Sequence, residues 1–341
     1  MKKIISIALL VCVVFALCVP AFAANEGEER AVIGADLSDS QILTVYGTFG
    51  LIRGSVRELK VTNAEERAYL EGLVSDSIIG TRSISCVYIR ILPENSGLTV
   101  TASNITWCTE NMYRSALMTA GIYDAEVKVT APYPVSGTAA LTGIYKAYED
   151  ITGRQLEEEA KTAAADELVL TAELADTLTD AIKREEVSKA IVDAVNAEAE
   201  SNDELTEEDV ANAVAEADAV AIVNELKLIL DETQNMSDDE LRGQIETIAA
   251  EYGYEIDADL INRLIELVRS MEGLSISDLT EKVEEFKDGV AKVRDGVERV
   301  RQAVDTIGDY AEQAVTLGQR IVNFLQSIVD FFRNLFGGGG D

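Results

Sequence analysis

LTEKVEEFKDGVAKVRDGVERVRQAVDTIGDYAEQAVTLGQRIVNFLQSIVDFFRNL, Leu279 to Leu335, is the stretch on which the reading of this 341-residue chain turns. Small or apolar residues recur there in alternating steps of four and three: Leu279, Val283, Phe286, Val290, Val293, Val297, Val300, Val304, Ile307, Ala311, Ala314, Gly318, Ile321, Leu325, Ile328, Phe332, Leu335. The pattern runs eight heptads without a skip, and no proline interrupts it. A seven-residue repeat of that length predicts one long helix with a single apolar seam. Such a seam is not stable in water, so a partner helix has to cover it, from this chain or another.

Toward its end the apolar face widens. Phe324, Phe331 and Phe336 join Phe332 and Leu335 of the seam, leaving a narrow polar stripe of Asn323, Ser327, Asp330 and Asn334. Weak basic character, with only Arg320 and Arg333 nearby, favours packing in a bundle or oligomer. Weak contact with a membrane surface is the alternative. Gly337 to Gly340 read as a flexible tail within residues 337–341.

Working back from the heptads, Arg154 to Arg242 contains neither glycine nor proline and is rich in Ala, Glu and Leu, good helix formers. Helices are expected near 154–199, 207–231, 238–251 and 257–272, with the long helix from about 277. This half is strongly acidic. Residues 154–341 hold 45 acidic and 17 basic side chains, against 16 and 12 in residues 1–153. A surface of that charge repels nucleic acid, which needs a basic footprint. The clusters Glu157-Glu158-Glu159 and Asp238-Asp239-Glu240 lack the alternating oxygen ligands and central glycine of a calcium loop. They read as solvated helix faces, so no metal is assigned. Histidine is absent, which removes the commonest metal ligand and the usual proton shuttle. No cofactor is expected.

The amino-terminal half is of another kind. Lys2 and Lys3, the apolar run Ile4 to Val19 and Ala21-Phe22-Ala23 read as a secretory signal, residues 1–23, with an uncleaved membrane anchor as the alternative. Residues 24–35 read as a polar leader ending in Val32-Ile33. Ser38-Asp39-Ser40-Gln41 is a capping box opening a short helix to about Tyr46. Strands are then expected at 57–62, 83–92, 98–107 and 126–131. The helices between them are capped by Asn63, with Glu66 at the reciprocal position, and by Thr109. The order strand, helix, strand, strand, helix, strand predicts a ferredoxin-like split βαβ domain. Pairing strands 83–92 and 98–107 as a hairpin sets Cys86 and Cys108 five residues out of register, roughly 16 Å. A disulfide needs Cα atoms within about 7 Å, so two free, mostly buried thiols are expected.

Two places could bind a ligand. Arg82, Thr106 and Trp107 fall at one end of the expected hairpin, and Arg beside an aromatic could grip a carboxylate, a phosphate or a sugar. The bland alternative is an Arg that caps the sheet edge. Ser136-Gly137-Thr138 follow a double-proline turn and start a helix whose free N–H groups could hold an anion. The alternative there is an ordinary cap, supplied by Ser136 or Thr138. Catalytic signatures are missing: there is no Gly-x-Ser-x-Gly elbow, no Ser three residues before a Lys, and no Cys–His pair. Carboxylates remain, and Glu110, Asp124 and Glu126 are the nearest acids in this half.

Gly80-Thr81-Arg82-Ser83-Ile84-Ser85, Asn104-Ile105-Thr106-Trp107 and Pro134-Val135-Ser136-Gly137-Thr138-Ala139-Ala140-Leu141-Thr142-Gly143 resemble the secreted Gram-positive proteins grouped as domain-of-unknown-function family 1002. Weaker similarity reaches back to Val32 and through Val61 to Arg67, so the likeness covers about residues 32–148. It implies an exported envelope protein and no particular reaction.

The sequence thus predicts an α+β domain at 30–150 followed by an acidic helical domain at 151–336. The expected function is that of a non-catalytic exported cell-envelope protein, secreted or envelope-associated. It would act through contacts of its helical domain with an envelope protein or another copy of itself. The alternatives are a carboxylate-dependent hydrolase of wall material and a small-anion binding module.

Overall fold

In the computed structural model, which describes residues 26–182, 207–274, 279 and 283, the sheet begins inside the expected polar leader. Strand β1 (Glu29–Gly34) holds Ala31, Val32 and Ile33 with no solvent exposure. Ala31 and Ile33 pack into one layer and Val32 into the other. A strand buried on both faces shows no apolar–polar alternation, so its six residues carry no period-two signal.

Helix α1 (Asp39–Phe49) covers the Ala31–Ile33 face, packing Ile42, Val45, Tyr46 and Phe49 against Cys86 and Tyr88. Its Ser38–Gln41 capping box forms as expected. The helix runs through Gly47 and ends at Gly50, which takes the left-handed conformation. Strand β2 (Arg57–Val61) then pairs in parallel with β1. Helix α2 (Asn63–Leu70), the short α3 (Asp76–Ile79), β3 (Cys86–Ile91), β4 (Leu98–Ile105), α4 (Glu110–Thr119), β5 (Ala125–Val135) and α5 (Thr138–Thr152) follow.

The strand order is β2-β1-β3-β5-β4. This corrects the ferredoxin-like expectation. β3 and β4 do not pair as a hairpin, because β5 lies between them, antiparallel to β3 and parallel to β4. The physical reason is visible at Asp124. Its carbonyl accepts from Leu92 N–H at 3.1 Å and its carboxylate from Gly97 N–H at 2.8 Å. Asp124 thereby ties both ends of the 93–97 turn, and the turn steps across one strand position instead of closing a hairpin. β5 has the composition for a central place, with Ala125, Val127, Val129 and Ala131 buried. The opposite face of the sheet is covered by α4 and α5, through Tyr113, Leu117, Ala140, Leu141 and Ile144 over Val32, Val87, Ile89, Val100 and Val127.

Both cysteines are free and buried. The expectation holds, but the register behind it does not. Cys86 faces Thr130 across β3–β5 and packs under α1, whereas Cys108 lies in the other layer. Burial pushes each thiol up to about 12, which makes both inert at neutral pH.

The helical half is built from α6 (Glu158–Ile182), α7 (Glu207–Leu228), the short α8 (Leu230–Thr233), α9 (Asp238–Glu251) and α10 (Ala258–Met271). α6 packs on α4 and α7, and α10 packs on α6 and α9. The apolar core therefore continues past residue 150: Leu168, Leu174 and Leu226 belong to one cluster with Val127 and Leu117. A polar network sits in the joint between α4, α6 and α7. Lys227 Nζ lies 2.6 Å from a Glu167 oxygen, and both side chains are 1% exposed. The ammonium also donates to the Ser115 carbonyl (3.0 Å) and hydroxyl (2.9 Å), and the Ser115 and Thr119 hydroxyls donate to Glu167.

Leu279 and Val283, the first two heptad positions, are helical and buried in this same core. The seam therefore starts out covered by its own chain. The rest of the expected heptad helix, its Phe324, Phe331, Phe332, Leu335 and Phe336 face, the expected glycine tail and the expected signal segment lie outside the described residues. Among the described residues, no helix is long and apolar enough to cross a membrane.

Candidate functional site

Two helix starts compete in Thr62-Asn63-Ala64-Glu65-Glu66, and the outcome builds the site. Each of Thr62 and Asn63 has a glutamate three residues on, so either could close a capping box. The chain uses the first. The Thr62 hydroxyl accepts from Glu65 N–H at 3.2 Å, and the Glu65 carboxylate accepts from Thr62 N–H at 2.8 Å. The expected Asn63–Glu66 cap is thus corrected by one residue, and Glu66 is released to turn inward.

Glu66 is 1% exposed. One of its oxygens accepts the Thr138 hydroxyl, and the other accepts Asn63 Nδ2 at 3.1 Å. Burial pushes its carboxyl above the usual range, and these two hydrogen bonds act against the shift. Thr138 opens α5, whose cap residue is Gly137 with φ +100° and no side-chain cap bond. The expected Ser136 or Thr138 cap therefore does not form. The Ser136 hydroxyl instead donates to the Ile78 carbonyl at 2.8 Å. Gly137 is held by the Tyr113 hydroxyl, which donates to its carbonyl at 2.6 Å.

These residues line a cleft of about 320 Å³ between α3, the loop before β3 and the start of α5. Arg82 lines it as well, its Nη2 anchored on the Asp36 carbonyl at 2.8 Å. Arg82 and Ser136-Gly137-Thr138, two separate candidates in the sequence, are therefore one site. Thr106 and Trp107 are not among its lining residues. Thr106 bonds the Val135 carbonyl through its N–H (2.8 Å) and hydroxyl (3.1 Å), and Trp107 packs on the core. Arg82 and Trp107 do belong to the same end of the sheet, since Cys86 and Ser103 flank Thr130 from opposite sides. The intervening β5 sets their strands about 10 Å apart. Sequence reasoning missed Glu66, Ser85 and Tyr133, which also line the cleft.

The three acids considered for hydrolysis each serve a separate bond. Glu110 accepts from Ala102 N–H on the sheet edge at 2.7 Å, Asp124 ties the 93–97 turn, and Glu126 pairs with Arg90 and Lys128.

The family described as "Protein of unknown function (DUF1002)" matches residues 33–292. This chain belongs to that family. The match takes in the sheet, the cleft and the helical half as far as the first two heptads, well beyond the 32–148 span of the motif strings. A relative, "Uncharacterized protein YpuA" of Bacillus subtilis (strain 168), is 44% identical over 181 residues. That alignment covers 52% of this chain and 62% of the relative. No solved structure matches.

Proposed function

We propose that this family member is a non-catalytic protein of the cell envelope that holds a small polar ligand in the α/β cleft. The observation that carries this reading is the convergence of Arg82, Ser85 and the start of α5 on one cavity. That cavity sits at the small end of the usual range for ligand pockets, roughly 300–1,000 Å³. Thr81 lines the cleft and is exposed, so a large side chain there obstructs the cavity without touching the core. Native mass spectrometry of the mature chain, after exposure to a low-mass fraction of envelope extract, should show a bound adduct that Thr81→Trp loses. An adduct retained by Thr81→Trp, or no adduct on the parent chain, sinks the reading.

A second contribution comes from the heptad helix, through self-association of the part beyond Val283. The unbroken heptad pattern beyond Val283 supports it, since the chain itself covers only the first two positions among the described residues. Ending the chain after Gly289 keeps both residues and removes the rest. Light scattering should then report a lower oligomeric state than for the full chain. Equal states for the two chains would count against this contribution.

A further inference from the structure

Resting on the cleft reading above, we infer that the ligand is a small zwitterion of the amino-acid type, with its carboxylate at Arg82 and the α5 amides and its ammonium at Glu66. Three observations converge on this class. First, the donors for a carboxylate are in place. Arg82 uses one Nη2 hydrogen bond to hold its position, and the remainder of its planar fork is not engaged among the described residues. The N–H groups of Thr138 and Ala139 belong to the first turn of a 15-residue helix that has no side-chain cap, and both residues line the cleft. First-turn amides have no partner within their own helix and favour negative charge.

Second, the cleft contains an unfilled polar group. Ser85 is 2% exposed, lines the cavity and makes no hydrogen bond with the described residues. Its hydroxyl is not sealed from the cleft, so a ligand atom there can bind it in place of solvent.

Third, charge selects against a plain anion. Glu66 shares the cavity with Arg82, so the lining carries one group of each sign. Each Glu66 oxygen accepts one donor, from Thr138 or from Asn63. A carboxylate offers about four acceptor positions, which leaves room for a further N–H. A phosphate dianion would meet one guanidinium and face this carboxylate. A molecule carrying both signs matches both groups. Burial raises the proton affinity of Glu66, and a bound ammonium would compensate the buried charge.

The test titrates alanine, acetate and inorganic phosphate into the isotope-labelled full chain, following the amide signals of Ser85, Thr138 and Ala139. Alanine should move all three signals and bind at least tenfold more tightly than acetate or phosphate. Arg82→Gln, at an exposed position, should weaken alanine at least tenfold. Glu66→Gln keeps one of the two acceptor oxygens and the shape while removing the charge, and should abolish the preference for alanine over acetate. Acetate or phosphate binding as tightly as alanine would overturn the zwitterion and leave the cleft as a binding site. If no probe moves the signals while the adduct lost in Thr81→Trp still forms, the ligand class fails and the cleft stands. If neither is seen, both fail.

Discussion

Lys227→Met should lower the unfolding free energy by about 3–5 kcal/mol, the usual cost of removing one partner from a buried ion pair. Methionine keeps most of the side-chain volume, so the loss is electrostatic. Glu167, 1% exposed at its side chain, would keep the Ser115 and Thr119 hydroxyls but lose its only cation within ion-pair range among the described residues. The pair sits where α4 of the sheet layer meets α6 and α7, so the damage falls on the joint between the two halves. The double variant Glu167→Leu with Lys227→Met should recover at least half the loss, since an apolar replacement of a buried pair is often neutral. Urea unfolding of the single and double variants provides the measurement. A single variant within 0.5 kcal/mol of the parent would show that the pair does not stabilise the joint.

Gly137→Ala is expected to cost about 2–4 kcal/mol, from a left-handed backbone and from overpacking. Gly137 has φ +100°, and a Cβ there would lie 2.5 Å from Ile105 Cγ2 and 2.5 Å from the Tyr113 hydroxyl. The Tyr113 ring is fully buried and its hydroxyl holds the Gly137 carbonyl, so it cannot withdraw cheaply. Because Gly137 caps α5, its shift should also displace the Thr138 hydroxyl from Glu66. Loss of stability should therefore come with loss of alanine binding. An alanine variant as stable as the parent would mean that the α5 start relaxes without strain.

Helices were the legible part of the sequence. The 38–41 capping box and the Thr109 cap both form where the residues announce them. The acidic helices at 207–228, 238–251 and 258–271 end within three residues of the expected limits. Strand pairing was not legible. β1 carries no alternation because both its faces are buried. The β3–β4 segment looks like a hairpin because local turn chemistry says nothing of a third strand arriving later. The cleft was half legible for a related reason. Arg82 and Ser136-Gly137-Thr138 stood out by residue type, but their meeting depends on the turn between β3 and β4 spanning a strand. Glu66 was hidden by a one-residue ambiguity over where α2 begins. Overlapping Thr-x-x-Glu and Asn-x-x-Glu boxes are the signal that would have exposed it, since whichever glutamate is not used for the cap is free to face inward.

The late insertion of β5 also bears on how this molecule is made. Until Ala125–Val135 is available, β3 and β4 each present a raw edge to the gap between them, and no earlier segment can close it. A chain growing from its amino terminus can pair β1 with β2 and β3 early, but it completes the sheet only once more than a third of its length is available.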